Sequence, residues 1–197
     1  YLDSEIPSDT KPFFPVNESE QHFVAQNLEL ENNLHMDLRA LTMGFIFPRR
    51  LVQKSEKTLK RWETDGIADL KREQEVKWWR DFAREGIPPQ DARDSAEAHR
   101  KAFAILEDRL EASQWLIGDR LSVLDIAWFI TTTRLQNAGY PLSNHPRLLA
   151  WHQRLILRPA FQEETLDPFP LRSIIAPLYQ MFRRVQGTTL ADLIEAG

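Results

Sequence analysis

No cysteine occurs among the 197 residues, which removes disulfides, thiolate metal sites and a cysteine nucleophile from the chemistry open to the chain. No stretch approaches the roughly 18–20 consecutive apolar residues needed to span a bilayer. The opening YLDSEIPSDTK has neither the basic n-region nor the apolar h-region of a signal peptide, and the expected location is the cytoplasm. The chain does not begin with Met, as a processed product or a piece of something longer would not. Excess positive charge is missing too. With 25 Lys and Arg against 29 Asp and Glu the formal charge is -4, so no global basic field gathers nucleic acid, and none is expected as a partner. Also absent are sustained period-two alternation, internal repeats and low-complexity tracts. The fold class that remains is all-α.

What is present is punctuated helix. Residues 1–16 end in a connector in which Pro7, Pro12 and Pro15 oppose helix. Asn17 with Glu20 three residues later is an N-cap and capping-box pair, and Phe23, Leu30, Leu34, Leu38, Leu41 and Phe45 follow at spacings of three, four and seven. One long helix over about 17–45 is predicted. Between about 55 and 84 dense charge is interrupted by Leu59, Trp62, Leu70, Trp78, Trp79 and Phe82, which fits one or two amphipathic helices with a break near Gly66. EGIPPQDARDS (85–95) reads as a turn, the next helix as about 94–113 with Gly118 closing it, and a further helix as capped by Asn144 or His145 with Pro146 in its first turn.

GDRLSVLDIAWF, residues 118–129, sets a Ser and an Asp three apart before the most apolar short run in the chain. With Ser122 as N-cap and Asp125 at N3, the pair is a capping box, and Leu121 and Ile126 occupy the positions of a hydrophobic staple. A buried helix start cannot leave its N–H groups to water, so it needs such partners. The catalytic alternative, Asp125 as base for a Ser122 nucleophile, has no His placed to complete it. The structural role is expected.

A Gly, then Ser-x-x-Asp opening a buried helix, resembles the capping motif in the C-terminal domain of glutathione transferases. HPRLLAWHQRLILRPAFQE is similar to that family's next segment, and YLDSEIPSDTKPFFPVNESE to the end of its thioredoxin-like domain and linker. The resemblance covers about residues 1–165. LHMDLRALTMGFIFPRR and the charged insertion after it further resemble the branch that includes the ganglioside-induced differentiation-associated proteins. The resemblance implies this division: 1–16, the end of a thioredoxin-like domain and linker; 17–167, a helical bundle with an insertion at about 52–92; and 168–197, a C-terminal tail.

In that family the thiol-activating residue and most glutathione contacts lie in the thioredoxin-like domain, which would precede Tyr1. The resemblance therefore implies glutathione as co-substrate bound mainly outside this chain, no catalytic residue within it, a small hydrophobic electrophile, and a homodimer when intact. The 197 residues alone are expected to be inactive. The helical domain would supply the electrophile wall. His35, Met36, Arg39 and Met43 share a face, an apolar and basic wall suited to an aromatic or acidic electrophile; the alternative is Met packed in the core, with His and Arg solvated or paired to Glu31 and Asp37. Glu31 and His35 have neither a third ligand at helical spacing nor an HExxH motif, so no metal is expected. Trp62, Trp78 and Trp79 suit either stacking on a ligand or packing, and the acid around them favours packing. The segment 169–187, FPLRSIIAPLYQMFRRVQG, is an amphipathic, locally basic helix for a membrane surface, a partner or its own domain. A noncatalytic protein that binds a partner or membrane is the competing function.

Overall fold

The computed structural model describes residues 13–15, 17–64, 70–165 and 170–196. The expected stub and connector before Phe13 lie outside them. Every regular element among the described residues is a helix, and the one β feature is an isolated bridge between Ile117 and Arg120. In order these are α1 (Glu18–Asn33), α2 (His35–Phe45), the single turn α3 (Arg49–Val52), α4 (Glu56–Thr64), α5 (Leu70–Glu85), α6 (Pro89–Arg109), α7 (Val123–Asn137), a 3-10 turn (Leu142–Asn144), α8 (Pro146–Ile156), α9 (Pro159–Thr165), α10 (Pro170–Val185) and α11 (Leu190–Glu195).

The predicted long first helix is two. Its N-cap stands, with the Asn17 side chain accepting from the Glu20 N–H at 2.8 Å, but the pair is a single cap rather than the reciprocal box expected. At Leu34 the backbone tightens to φ -81, ψ 1, and its N–H is shared between the carbonyls of Leu30 (3.1 Å) and Glu31 (3.2 Å). The ladder resumes at once, with Leu38 N–H donating to Leu34 at 2.8 Å, so α1 and α2 form a bent rod rather than two separate arms.

Residues 85–95 are a turn only in their first part. Pro89 occupies N1 of α6, where a missing N–H costs nothing and its fixed φ suits the helix. That helix ends at Arg109, well before Gly118. Gly118 instead takes φ +61 inside the tight loop that brings Ile117 against Arg120. Arg109 and Arg154 tie the approach to this loop by donating to the carbonyls of Leu116 (3.0 Å) and Gln114 (2.6 Å).

The main core lies between α1–α2, α6, α7 and α8, with Leu41, Phe103, Leu106, Leu124, Trp128, Leu148 and Trp151 fully enclosed. A second, smaller core forms under the α4–α5 hairpin, where Leu59, Val76, Trp79 and Phe82 are buried and Met43, Trp62 and Trp78 pack against them. Trp79 is enclosed in this core, whereas Trp62 and Trp78 pack against it with part of each ring still exposed. On the outer side of this hairpin, Arg80 binds Glu56 (2.8 Å) and Glu63 (2.7 Å), joining α5 to α4.

Candidate functional site

The Ser122–Asp125 pair is the most densely bonded polar feature of the main core. Ser122 Oγ accepts from Asp125 N–H at 3.4 Å, and Asp125 Oδ2 accepts from the Ser122 N–H (2.8 Å) and hydroxyl (2.6 Å), the reciprocal box. Asp125 Oδ1 takes two further donors, the Leu116 N–H at 3.0 Å and Trp151 Nε1 at 2.7 Å. Both residues are completely buried. Four donors around one carboxylate leave it no free lone pair to act as a base, and no histidine bonds to it. The staple is not formed in the expected way, because Ile126 is exposed and only Leu121 packs against the core.

On α2 the structure brings the predicted wall residues onto one face. The Arg39 guanidinium lies 3.1 Å from His35 Nε2, Met36 is exposed, and Met43 turns toward the second core. The insertion then supplies what no local spacing reveals. Glu75 of α5 pairs with Arg39 at 2.8 Å, and the Trp78 ring lies 5.8 Å from the guanidinium, stacked in turn on Phe82. Arg39 therefore enters this face with its charge balanced. Neither Glu31 nor Asp37 takes part. Glu31 accepts from the Thr131 hydroxyl (2.6 Å) and Asp37 from the Ser95 hydroxyl (2.8 Å), so each faces the neighbouring helices. Among the described residues no group of three or more His, Asp or Glu is arranged to hold a metal ion.

Burial disfavours the charged form of the histidines inside the bundle. His99 Nδ1 sits 2.9 Å from the Ser95 carbonyl, which can only accept, so the ring carries its proton there; burial lowers its pKa despite the acids nearby. Burial pulls His152 down to about 4, where it stacks on Phe129 and meets the Thr133 hydroxyl at 2.9 Å. A cleft of about 490 Å³ between α6, the 140–144 loop and α11 is lined by Arg93, Glu97, Arg100 and Tyr140. Arg100 grips Glu97 at 2.6 and 2.7 Å, Gln90 takes up both Arg93 and Asp94 at 2.8 Å, and burial pushes the Tyr140 phenol up to about 12.

Two apolar surfaces remain uncovered. The first two turns of α7 are apolar apart from the capping Asp125. Ile126 and Ile130, one turn apart on it, are nonetheless exposed. The second is the outer side of α10.

Residues 90–154 match the family "Glutathione S-transferase, C-terminal domain". The chain is 28% identical over 109 residues to the glutathione S-transferase-like protein tpcF of Aspergillus fumigatus, an overlap of 49% of this chain and 48% of that protein. It is 30% identical over 99 residues to the probable glutathione S-transferase GSTF1 of Oryza sativa subsp. japonica, covering 48% and 42%. The chain thus matches about half the length of these curated relatives. Among solved structures it resembles the beta-etherase LigF from Sphingobium, with a TM-score of 0.63 over 83% of this chain and 68% of that one; at 19% identity the likeness is one of fold.

Proposed function

We propose, from the match of residues 90–154 to the glutathione S-transferase C-terminal domain family, that the chain is the helical half of a glutathione-dependent transferase acting on a hydrophobic electrophile. Glutathione is held, and its thiol activated, by a thioredoxin-like domain outside these residues; the intact protein is a cytoplasmic homodimer. The observation that carries the reading is the α2 face, where exposed Met36 and the half-buried Trp78 flank Arg39. With Arg39 balanced by Glu75, that face suits a neutral aromatic electrophile better than an acidic one. The exposed Ile126 and Ile130, apolar side chains one turn apart on α7, suit a second domain lying against that helix.

The test is steady-state kinetics on the intact parent with each substrate varied in turn. Met36→Ala is expected to raise KM for an aromatic electrophile about three- to tenfold, the equivalent of roughly 1 kcal/mol of apolar contact, while KM for glutathione holds. Replacing Arg39 and Met43 together with Ala is expected to change the electrophile kinetics further, and also to lower the melting temperature because both pack against the insertion. Wild-type electrophile kinetics in both variants, with only the melting temperature changed, would leave this helix a packing element and refute the wall. A noncatalytic binding role is favoured by one observation, the outward apolar face of α10, and an upstream segment without a thiol-activating residue would select it.

A further inference from the structure

Helix α10 is docked the wrong way round for water. Its register sorts the described side chains into two opposed arcs. At about 100° per residue, Ala176, Tyr179, Gln180 and Arg183 fall within one arc of about 100°. That arc faces the body of the domain. Gln180 Nε2 donates to the Asn137 carbonyl at the end of α7. Arg183 donates to the carbonyls of Gly44 (3.3 Å) and Thr188 (2.8 Å), bonds the Tyr179 hydroxyl at 3.0 Å, and lies 4.3 Å from the centre of the Phe45 ring. Ala176 is buried.

The opposite arc holds Ile174, Leu178, Met181, Phe182 and Val185, at 62%, 55%, 59%, 56% and 84% exposure. A helix that covered its own domain would present these five and leave the glutamine and arginine to solvent. Here the polar side chains bind carbonyls that end two other helices, so the helix cannot roll over without abandoning those bonds.

We infer that α10 is an interfacial helix that lays this stripe on the surface of an anionic lipid bilayer. Charge supports the choice of partner. In a chain of net charge -4, the segment 170–185 contains no acidic residue, and of its arginines Arg183 is spent on the domain while exposed Arg184 borders the stripe. An apolar face with a basic side chain at its margin and no acid on the helix is the pattern of a helix lying in the headgroup plane. Area argues against a second copy of the chain: the stripe offers on the order of 600 Å², at the upper end of what monomers leave bare, whereas a stable dimer buries about 800 Å² per partner. At 16 residues α10 is also too short to cross, and no described helix is long and apolar enough to do so. The inference is independent of glutathione chemistry.

The experiment is flotation of the full 197-residue chain with vesicles of phosphatidylcholine alone and of phosphatidylcholine containing about one-third phosphatidylserine, at low and high salt. The chain is expected to float with the anionic vesicles, at least tenfold more than with the neutral ones, and to lose most of that binding at high salt. Leu178→Glu with Phe182→Glu should abolish binding at an unchanged melting temperature, because both side chains already face solvent. Arg184→Glu should weaken it severalfold while sparing the fold. Phe182→Cys, the one cysteine in a chain that has none, labelled with an environment-sensitive fluorophore should shift its emission to the blue on anionic vesicles, a readout that does not depend on the charge-reversed variants folding. Absence of flotation, equal flotation of the double variant, or no blue shift would overturn the proposal. So would a concentration-dependent dimer that the double variant dissolves, since the stripe would then belong to a second copy.

Discussion

Replacing Asp125 with Ala tests how the buried network is shared between capping and long-range anchoring. A cap alone contributes about 1–2 kcal/mol. The structure asks for more, because Asp125 also accepts from Leu116 N–H and Trp151 Nε1 across the core. Removing the carboxylate strands those two donors and the Ser122 N–H in a fully enclosed site. At about 1–3 kcal/mol for each stranded donor, less what a water entering the vacated space would recover, the expected loss is about 3–5 kcal/mol. That is a large part of the roughly 5–15 kcal/mol by which domains are stable. For a chain of this length it corresponds to a fall in melting temperature of about 6–20 °C. Urea unfolding followed by both circular dichroism and tryptophan fluorescence measures it, and coincidence of the two curves checks that a single transition is being read. Trp151→Phe removes one donor and leaves Asp125 Oδ1 with the Leu116 N–H, so it should cost about 1–2 kcal/mol. A loss below about 1 kcal/mol in the Ala variant would refute the network. Loss of activity in the intact parent at an unchanged melting temperature would overturn the structural assignment itself and return Asp125 to chemistry.

Glu107→Ala should destabilise the chain by about 1 kcal/mol, since this carboxylate from α6 caps α8 by accepting from the N–H groups of Arg147 (2.9 Å) and Leu148 (2.8 Å); Glu107→Gln, which keeps one acceptor, should fall between, and equal stability of all three would remove the cap. Acid should destabilise through His152: its folded pKa of about 4 lies below the ordinary 6.5, so between those values the unfolded chain binds the extra proton and stability drops as pH falls. The full term is up to about 3 kcal/mol, and unfolding midpoints at pH 7 and pH 5 should diverge more in the wild type than in His152→Leu. Parallel pH profiles would show that His152 is not the group responsible.

Local chemistry was legible in the sequence wherever a single short segment carried both halves of an interaction. The Asn17 cap, the Ser122–Asp125 box and Pro146 at the start of α8 are of this kind. Breaks without a breaker residue were not. Leu34 bends the first rod although the apolar spacing runs straight through it and no Gly or Pro stands nearby in sequence. Pro88–Pro89 misled in the opposite direction, because a proline that interrupts one helix is equally suited to open another. Partners remote in sequence left no local trace: Trp151 for Asp125, Glu107 for the start of α8, and Thr131 for Glu31 all come from another helix. The amphipathicity of α10 was readable from its residues, but which arc faces the domain was decided by the carbonyls of Gly44 and Asn137, and those positions belong to the tertiary fold.

The α2 face shows how far such a remote partner can change a chemical reading. In sequence, His35, Met36, Arg39 and Met43 form a basic and apolar strip, and a basic strip attracts acids. Folding brings Glu75 from the insertion to within 2.8 Å of Arg39 and sets Trp78 against it. An acidic substrate would have to displace a carboxylate already in place on a guanidinium whose side chain is only 18% exposed. A neutral ring meets no such competition and finds Met36 and Trp78 beside it. The α4–α5 hairpin therefore does more than cover a second core: by pairing the charge of Arg39 with Glu75 it turns a cationic patch into a neutral, polarisable one, and the substrate preference proposed for this face follows from Glu75 as much as from Arg39.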